Sequence, residues 1–217
     1  MKLYGTVRSP YVRKAMIAAI EAGVDDEVEM IAPAENVWVG DGDAELSAAN
    51  PLGKVPVLTT REGFSLIDSA VICEYLASIA PEKFAQPADA AERWEMANFQ
   101  SLVQGAMDAM VAMAAESNIR PEGYGWPDWA ARQRVKISRV LERFETLFAG
   151  SPPENLTLGL VTLGSALGYL EQRLGDKTWR ANCPVLARWF DEFQRRPSMT
   201  STMPAPLPPP DQDPRRG

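Results

Sequence analysis

The sequence predicts two folded parts, a mixed α/β domain at the N-terminus and an all-α domain after it. Three observations carry this prediction. Through residue 80, strand-length apolar runs alternate with helical spacing in the order βαβ and then ββα. From residue 92 onward only 3.6-residue periodicity remains. Between them, residues 81–91 are charged and rich in Pro and Ala, as linkers are. The expected division is therefore 1–80, a linker at 81–91, an all-α domain at 92–203 and a Pro-rich tail at 204–217.

Leu3 to Thr6 reads as the first strand. Ser9 and Pro10 open a helix that runs to about Ala22 and closes at Gly23. Ser at the N-cap accepts an orphan N–H, and Pro at the first helical position lacks a donor that would be unpaired anyway. Val12, Ala15, Met16, Ala19 and Ile20 form its expected buried face. Glu27 to Ile31 is a second strand, followed by a polar loop with Trp38, Gly40 and Gly42. Val55 to Thr60 and Phe64 to Ile67 read as a hairpin turning at Glu62-Gly63. Ser69 to Ile79 is helical, with Val71, Ile72, Tyr75 and Leu76 inward, and Pro81 ends it.

Four helices are expected after the linker: Glu92 to Ser117, Trp129 to Phe148, Thr157 to Leu174 and Pro184 to Arg195. The second has Ile137, Val140, Leu141, Phe144, Leu147 and Phe148 at helical spacing. Pro204 to Gly217 holds five further prolines and few apolar groups, so disorder is expected there.

Composition narrows the chemistry. At 217 residues and 46% apolar content, the chain can build a substantial core. A net charge of −7 argues against nucleic acid and anionic membranes as partners. No apolar run is long enough to span a bilayer, and Met1 to Gly5 lead straight into a strand without a signal segment. Cys73 and Cys183 fit no metal or CxxC spacing, so no metal site is expected and a reducing cytoplasm is the simple location. Cys73 is expected to be buried and Cys183, at a helix start, partly exposed. The chain has no histidine, which excludes Ser-His-Asp triads and imidazole catalysis. Any reactive atom must come from another side chain or from a bound cofactor.

Three places can serve a ligand, and each has an ordinary structural role as well. A Pro at a strand start removes a ladder donor, and with a cis Val55–Pro56 bond the Val55 backbone can pair with an extended peptide. The trans form is the common state. Asp68 and Ser69 stand where a strand ends and a helix begins. They cap that helix, or they bind an amino-acid head, with its carboxylate on the N-terminal N–H groups and its ammonium on Asp68. Ser9 is an N-cap, or it donates to a ligand thiolate at the same helix start.

Ser-Pro-Tyr-Val-Arg-Lys at 9–14, Asn-Pro-Leu-Gly-Lys-Val-Pro-Val-Leu at 50–58 and Asp-Ser-Ala-Val-Ile-Cys-Glu-Tyr-Leu at 68–76 resemble bacterial cytosolic glutathione S-transferases. Leu167-Gly168-Tyr169-Leu170 and Arg196-Pro197-Ser198-Met199 resemble the helical C-terminal domain of that family. The resemblance implies a thioredoxin-like α/β N-terminal domain followed by an all-α helical bundle. It places Ser9 at the thiol-activating position, Val55 against the cysteinyl part of glutathione, Pro56 at the cis-proline, and Asp68 and Ser69 on the γ-glutamyl group. Glutathione would be the co-substrate, its thiolate attacking an apolar electrophile, and the protein would be a homodimer with a detoxifying role.

Alternatives remain in the same resemblance: a glutathione-dependent lyase, isomerase or dehalogenase, or a binding protein without turnover. For the electrophile, Tyr11 and a helical stripe of Met107, Met110, Val111 and Ala114 are candidates, although such a stripe equally serves as core. One departure from the family concerns stability. The helix at Thr157 normally carries an acidic residue three positions on as a capping box, and Leu160 stands there instead.

Overall fold

The computed structural model describes residues 1–35, 37–38, 42–121, 123–151 and 153–205. They form two compact units. Unit 1 holds Met1–Gln86, Asn155–Val161 and Pro197–Pro204; unit 2 holds Pro87–Glu154 and Thr162–Arg196. The tail expected to be disordered lies outside the described residues from position 206 onward.

Unit 1 begins β1 (Lys2–Tyr4), α1 (Pro10–Ala22), β2 (Glu29–Ile31), α2 (Ala44–Ala49), β3 (Val57–Thr59), β4 (Ser65–Leu66) and α3 (Ser69–Ile79). The sheet order is β2-β1-β3-β4. β1 and β2 are parallel, which requires the crossover that α1 supplies; β1–β3 and β3–β4 are antiparallel, the latter joined as a hairpin. This is the thioredoxin-like arrangement. The helices of the second half are α4 (Ala90–Asn118), α5 (Pro127–Gly150), α6 (Leu158–Arg173), α7 (Trp179–Asn182), α8 (Pro184–Phe193) and α9 (Pro197–Ser201). The last returns to unit 1. No helix among the described residues is long and apolar enough to cross a membrane.

In unit 2, α4 and α5 pack through aromatic rings, with Phe99 4.5 Å from Phe144 and 6.4 Å from Phe148. Ile137, Leu141, Phe144 and Phe148 are buried as their spacing predicts, whereas Leu147 is exposed. Helix α6 is buried on every side from Leu160 to Leu170, Thr162 and Ser165 included, the mark of a central helix. Thr157 Oγ accepts from Leu160 N–H at 3.2 Å, so the forward half of the cap forms. Leu160 has no acceptor to return the bond and is buried as an apolar residue instead.

Besides exposed Leu147 and the short helices α7 and α9, which the sequence reading did not include, four features differ from the sequence expectation. The predicted polar loop contains α2, capped by Asp43, whose carboxylate accepts from Leu46 N–H at 2.7 Å and Ala34 N–H at 2.8 Å. Those backbone donors hold Asp43 below the ordinary carboxylate range. On α3, Val71 is exposed rather than inward. On α1, Ile17, Ala18, Arg13 and Lys14 are buried while Met16 and Ile20 are only half-buried. The reason is that α1 packs against α3 on one side and α9 on another, so more than a single stripe is covered. Cys183, expected at partial exposure, is buried along with Cys73.

Candidate functional site

Sheet register brings the predicted segments to one end of the sheet. Tyr4 pairs with Val57, so position 5 faces position 56 one step on. Leu58 pairs with Leu66 and Thr59 with Ser65, so position 56 faces position 68 by continuation. Helix α1 starts after the C-terminal end of β1 and α3 after the C-terminal end of β4. Val55, Pro56, Asp68 and Ser69, with Ser9 after the loop from β1, therefore gather where two helices begin. Both dipoles favour negative charge there.

Two glycines and one asparagine shape this end; the sequence reading quoted Asn50 and Gly53 within the 50–58 motif without giving them a site role, and it gave Gly5 none. A Cβ at Gly5 would stand 2.4 Å from Val12 Cγ2 and 3.3 Å from the Val55 Cβ, and its φ is +131°. Only glycine lets the start of α1 and Val55 come this close. Asn50, almost fully buried, donates to Lys54 C=O at 2.8 Å and accepts from Leu52 N–H at 3.0 Å. With Gly53 at φ +60°, it fixes the turn that delivers Val55. The Asn-Pro-Leu-Gly run carried that signal, since Asn and Gly are turn formers.

The Val55–Pro56 bond is cis, and so is Ile67–Asp68. Among the described residues the Val55 N–H and C=O have no hydrogen-bond partner. Ser9 caps α1 through a long contact of 3.5 Å from Val12 N–H, while its carbonyl accepts from Arg13 N–H at 2.9 Å. Asp68 caps α3, accepting from Ala70 N–H at 2.8 Å. The Ser69 and Val71 N–H groups have no partner among the described residues. Capping and ligand binding are thus compatible: one carboxylate oxygen of Asp68 and two N–H donors of α3 are left over. Arg8 and Lys54, both exposed, add positive charge in the flanking segments.

The electrophile candidates fall in two places. Tyr11 is half-buried in the first turn of α1. Met107, Met110 and Ala114 are buried on α4 in unit 2, and Val111 is half-buried there. An open depression of about 460 Å³, lined by Lys2, Glu27, Glu29, Thr59 and Arg61 among others, sits at the opposite end of the sheet. Its charges are partly spent on one another, Arg61 pairing with Glu27 at 2.6 Å, and none of the predicted site residues lines it. Among the described residues no group of three or more His, Cys, Asp or Glu side chains is placed to hold a metal ion.

The chain is similar to known proteins over most of its length. The family model described as glutathione S-transferase, N-terminal domain, matches residues 3–84, and the C-terminal domain model of the same family matches residues 127–192. An uncharacterized GST-like protein, YibF, from Escherichia coli (strain K12) is 34% identical over 208 residues, covering 94% of this chain and 98% of its own. A glutathione transferase family member from Pseudomonas fluorescens Pf-5, solved with bound glutathione, is 34% identical with a TM-score of 0.82, covering 94% of this chain and 98% of that one. A further structure from that organism, with bound S-(propanoic acid)-glutathione, is 33% identical with a TM-score of 0.81, covering 94% of this chain and 100% of that one.

Proposed function

The chain belongs to the glutathione S-transferase family, and from that membership we propose that it binds glutathione at the Ser9–Val55–Asp68 end of the sheet and transfers its thiolate to an electrophilic carbon. In this reading the Val55 N–H and C=O pair with the cysteinyl backbone as an added strand would. The γ-glutamyl carboxylate takes the Ser69 and Val71 N–H groups and the Ser69 hydroxyl, and its ammonium takes Asp68. The glycines and Asn50 hold these groups ready before the ligand arrives.

The chemistry follows from ionisation. A free thiol with a pKa near ~8.5 is mostly protonated at neutral pH. The start of α1 and a hydrogen bond from Ser9 Oγ both favour the thiolate. The sulfur then attacks carbon, forming an S–C bond as the leaving group departs with its electron pair. In an addition, the proton goes to the neighbouring carbon instead. The candidates in this proposal for contact with an apolar electrophile are Tyr11 in unit 1 and, separately, Met107, Met110, Val111 and Ala114 in unit 2. Homodimeric assembly, a cytoplasmic location and a role in detoxification belong to the same proposal.

The observation that carries the reading is the set of unpartnered backbone donors at Val55, Ser69 and Val71 beside Ser9. The Pseudomonas relative's ligand, S-(propanoic acid)-glutathione, supports it, since that is an S-alkylated glutathione. Calorimetric titration with reduced glutathione and with an S-alkyl glutathione tests it. Binding of both, tighter for the alkylated form, is expected. No binding of either at millimolar concentration overturns it. Binding without turnover across a panel of alkyl halides, epoxides and enones points to a non-catalytic binding protein, and turnover confined to halides points to a dehalogenase.

A further inference from the structure

Arg13 is a buried charge in unit 1. It lies one turn from Ser9 on α1, is 2% exposed, and has no acidic partner among its described hydrogen bonds. Instead its Nε donates to Thr202 Oγ at 3.3 Å and its Nη2 to the Met199 carbonyl at 3.0 Å. Its Nη1 is buried without a partner among the described residues. Burial pushes the guanidinium down to about 10. A charge held so dry relies on the few bonds it has.

Those bonds reach α9 and the residue after it, 186 and 189 positions away. The same segment grips the other end of α1, where Ser198 Oγ donates to Glu21. Thr202 Oγ in turn donates to the Ser198 carbonyl at 2.7 Å, joining the two grips. All these residues lie within unit 1. Meanwhile Ser9 is weakly tied by its own side chain, at 3.5 Å, and firmly by its backbone, its N–H donating to Thr6 C=O at 3.0 Å and its carbonyl accepting from Arg13 N–H at 2.9 Å. The residue that closes the Ser9 turn is thus the residue that α9 holds.

We propose that α9 is a two-point clamp on α1 that sets the position of Ser9, with Arg13 and Glu21 as positioning residues and Thr202 and Ser198 as their anchors. The consequence for catalysis rests on the glutathione transferase reading above. The clamp keeps the Ser9 hydroxyl where it stabilises the thiolate, so loosening it raises the thiol pKa of bound glutathione and lowers kcat more than it changes glutathione affinity.

Thr202→Val tests this in the full-length protein, with Thr202→Ser as the conservative control and Ser198→Ala as a milder variant should Thr202→Val fold poorly. Thiolate absorbance of the glutathione complex against pH and steady-state kinetics are read together. The expected result for Thr202→Val is a thiol pKa raised by about half a unit to one unit, with kcat down about three- to tenfold at neutral pH. KM for glutathione should change less than twofold, and Thr202→Ser should restore both. A lowered melting temperature with an unchanged thiol pKa and kcat overturns the proposal, leaving α9 as packing alone. Hydrogen exchange of the ligand-free protein gives a readout independent of the assigned function. Amides 11–14 should exchange faster in Thr202→Val or Ser198→Ala while those of α5 do not, and unchanged exchange at 11–14 overturns the clamp. A wild-type protein that binds no glutathione overturns the function reading instead, and the exchange experiment still decides the clamp.

Discussion

Helices α3 and α8 begin with the same problem and solve it differently. Each has orphan N–H groups in its first turn. At α8, Pro184 has no donor, and the carboxylate of Glu145 accepts from Val185 N–H at 3.0 Å and Leu186 N–H at 2.8 Å. At α3, Asp68 takes only the Ala70 N–H, and Ser69 and Val71 remain without a partner among the described residues. One helix start is satisfied by a carboxylate from within the protein. The other, in the proposed function, is satisfied by a carboxylate from the ligand. A helix N-terminus is therefore not a site by virtue of its dipole; what matters is whether the fold has already supplied the anion.

Thiols extend the comparison. A helix start ordinarily lowers a thiol pKa. Cys183 stands at the N-cap of α8, yet its thiol is pushed up to about 11, first by burial and then by Glu145 and Glu142. Cys73, deep on α3, is likewise pushed up to about 11, mainly by burial. The glutathione thiol in the proposed site would meet a different setting at α1, whose own first turn carries no acidic residue.

The largest expected effect concerns these cysteines. At pH 8 the native chain should react with a small alkylating thiol reagent about 100-fold more slowly than the unfolded chain, because a pKa gap of about two units sets the thiolate fractions. A fast-reacting native thiol would break the contrast. The same shift has a sign for stability. The folded thiol pKa lies above the unfolded one, so the unfolded chain loses its protons first. This stabilisation is complete below the unfolded pKa and is lost as pH rises through about 9 to 11. A denaturant titration at each pH reads it, and replacing both cysteines with Ala should flatten that part of the profile.

Next is Ser9→Ala. Loss of one hydrogen bond to a charged sulfur should lower kcat about 10- to 100-fold with glutathione affinity held within about threefold. Unchanged turnover would leave the helix start and backbone as the only activators. Asp68→Ala should weaken glutathione binding about tenfold in calorimetry, since it removes the partner of the ligand's ammonium and the Ala70 cap together. Equal affinity would mean that α3 is as closed to ligands as α8.

The smallest effect sharpens the converse. Glu145→Gln should cost about 1–2 kcal/mol of stability, as loss of a helix cap does, read as a few degrees in Tm. Glutathione affinity should not move. A loss of binding in this variant would show that the two helix starts are not independent.

Helix limits were readable wherever punctuation is local. Ser9, Pro10 and Gly23 bound α1 as expected, and Gly23 accordingly has φ +73°. Helix α2 was missed because its six residues are too few to show a period, and the glycines before it look like loop. The motif at 50–58 marked the candidate site, but its cis bond could not be read from Val-Pro alone, where trans is the usual state. Nor could the burial of Arg13 and Lys14, since an Arg-Lys pair in a helix reads as solvated surface until something covers it.

By itself the sequence determined the order of elements, their caps and turns, and the segments that hold the candidate site, because these depend on neighbours a few residues apart. Only the tertiary structure decided which helix starts are filled and which are open. Glu145 meets α8 across 40 and 41 positions, and Arg13 meets α9 across 186 and 189. A hydrogen bond depends on distance in space, and no local pattern of residue types encodes which distant acceptor the fold will bring within 3 Å.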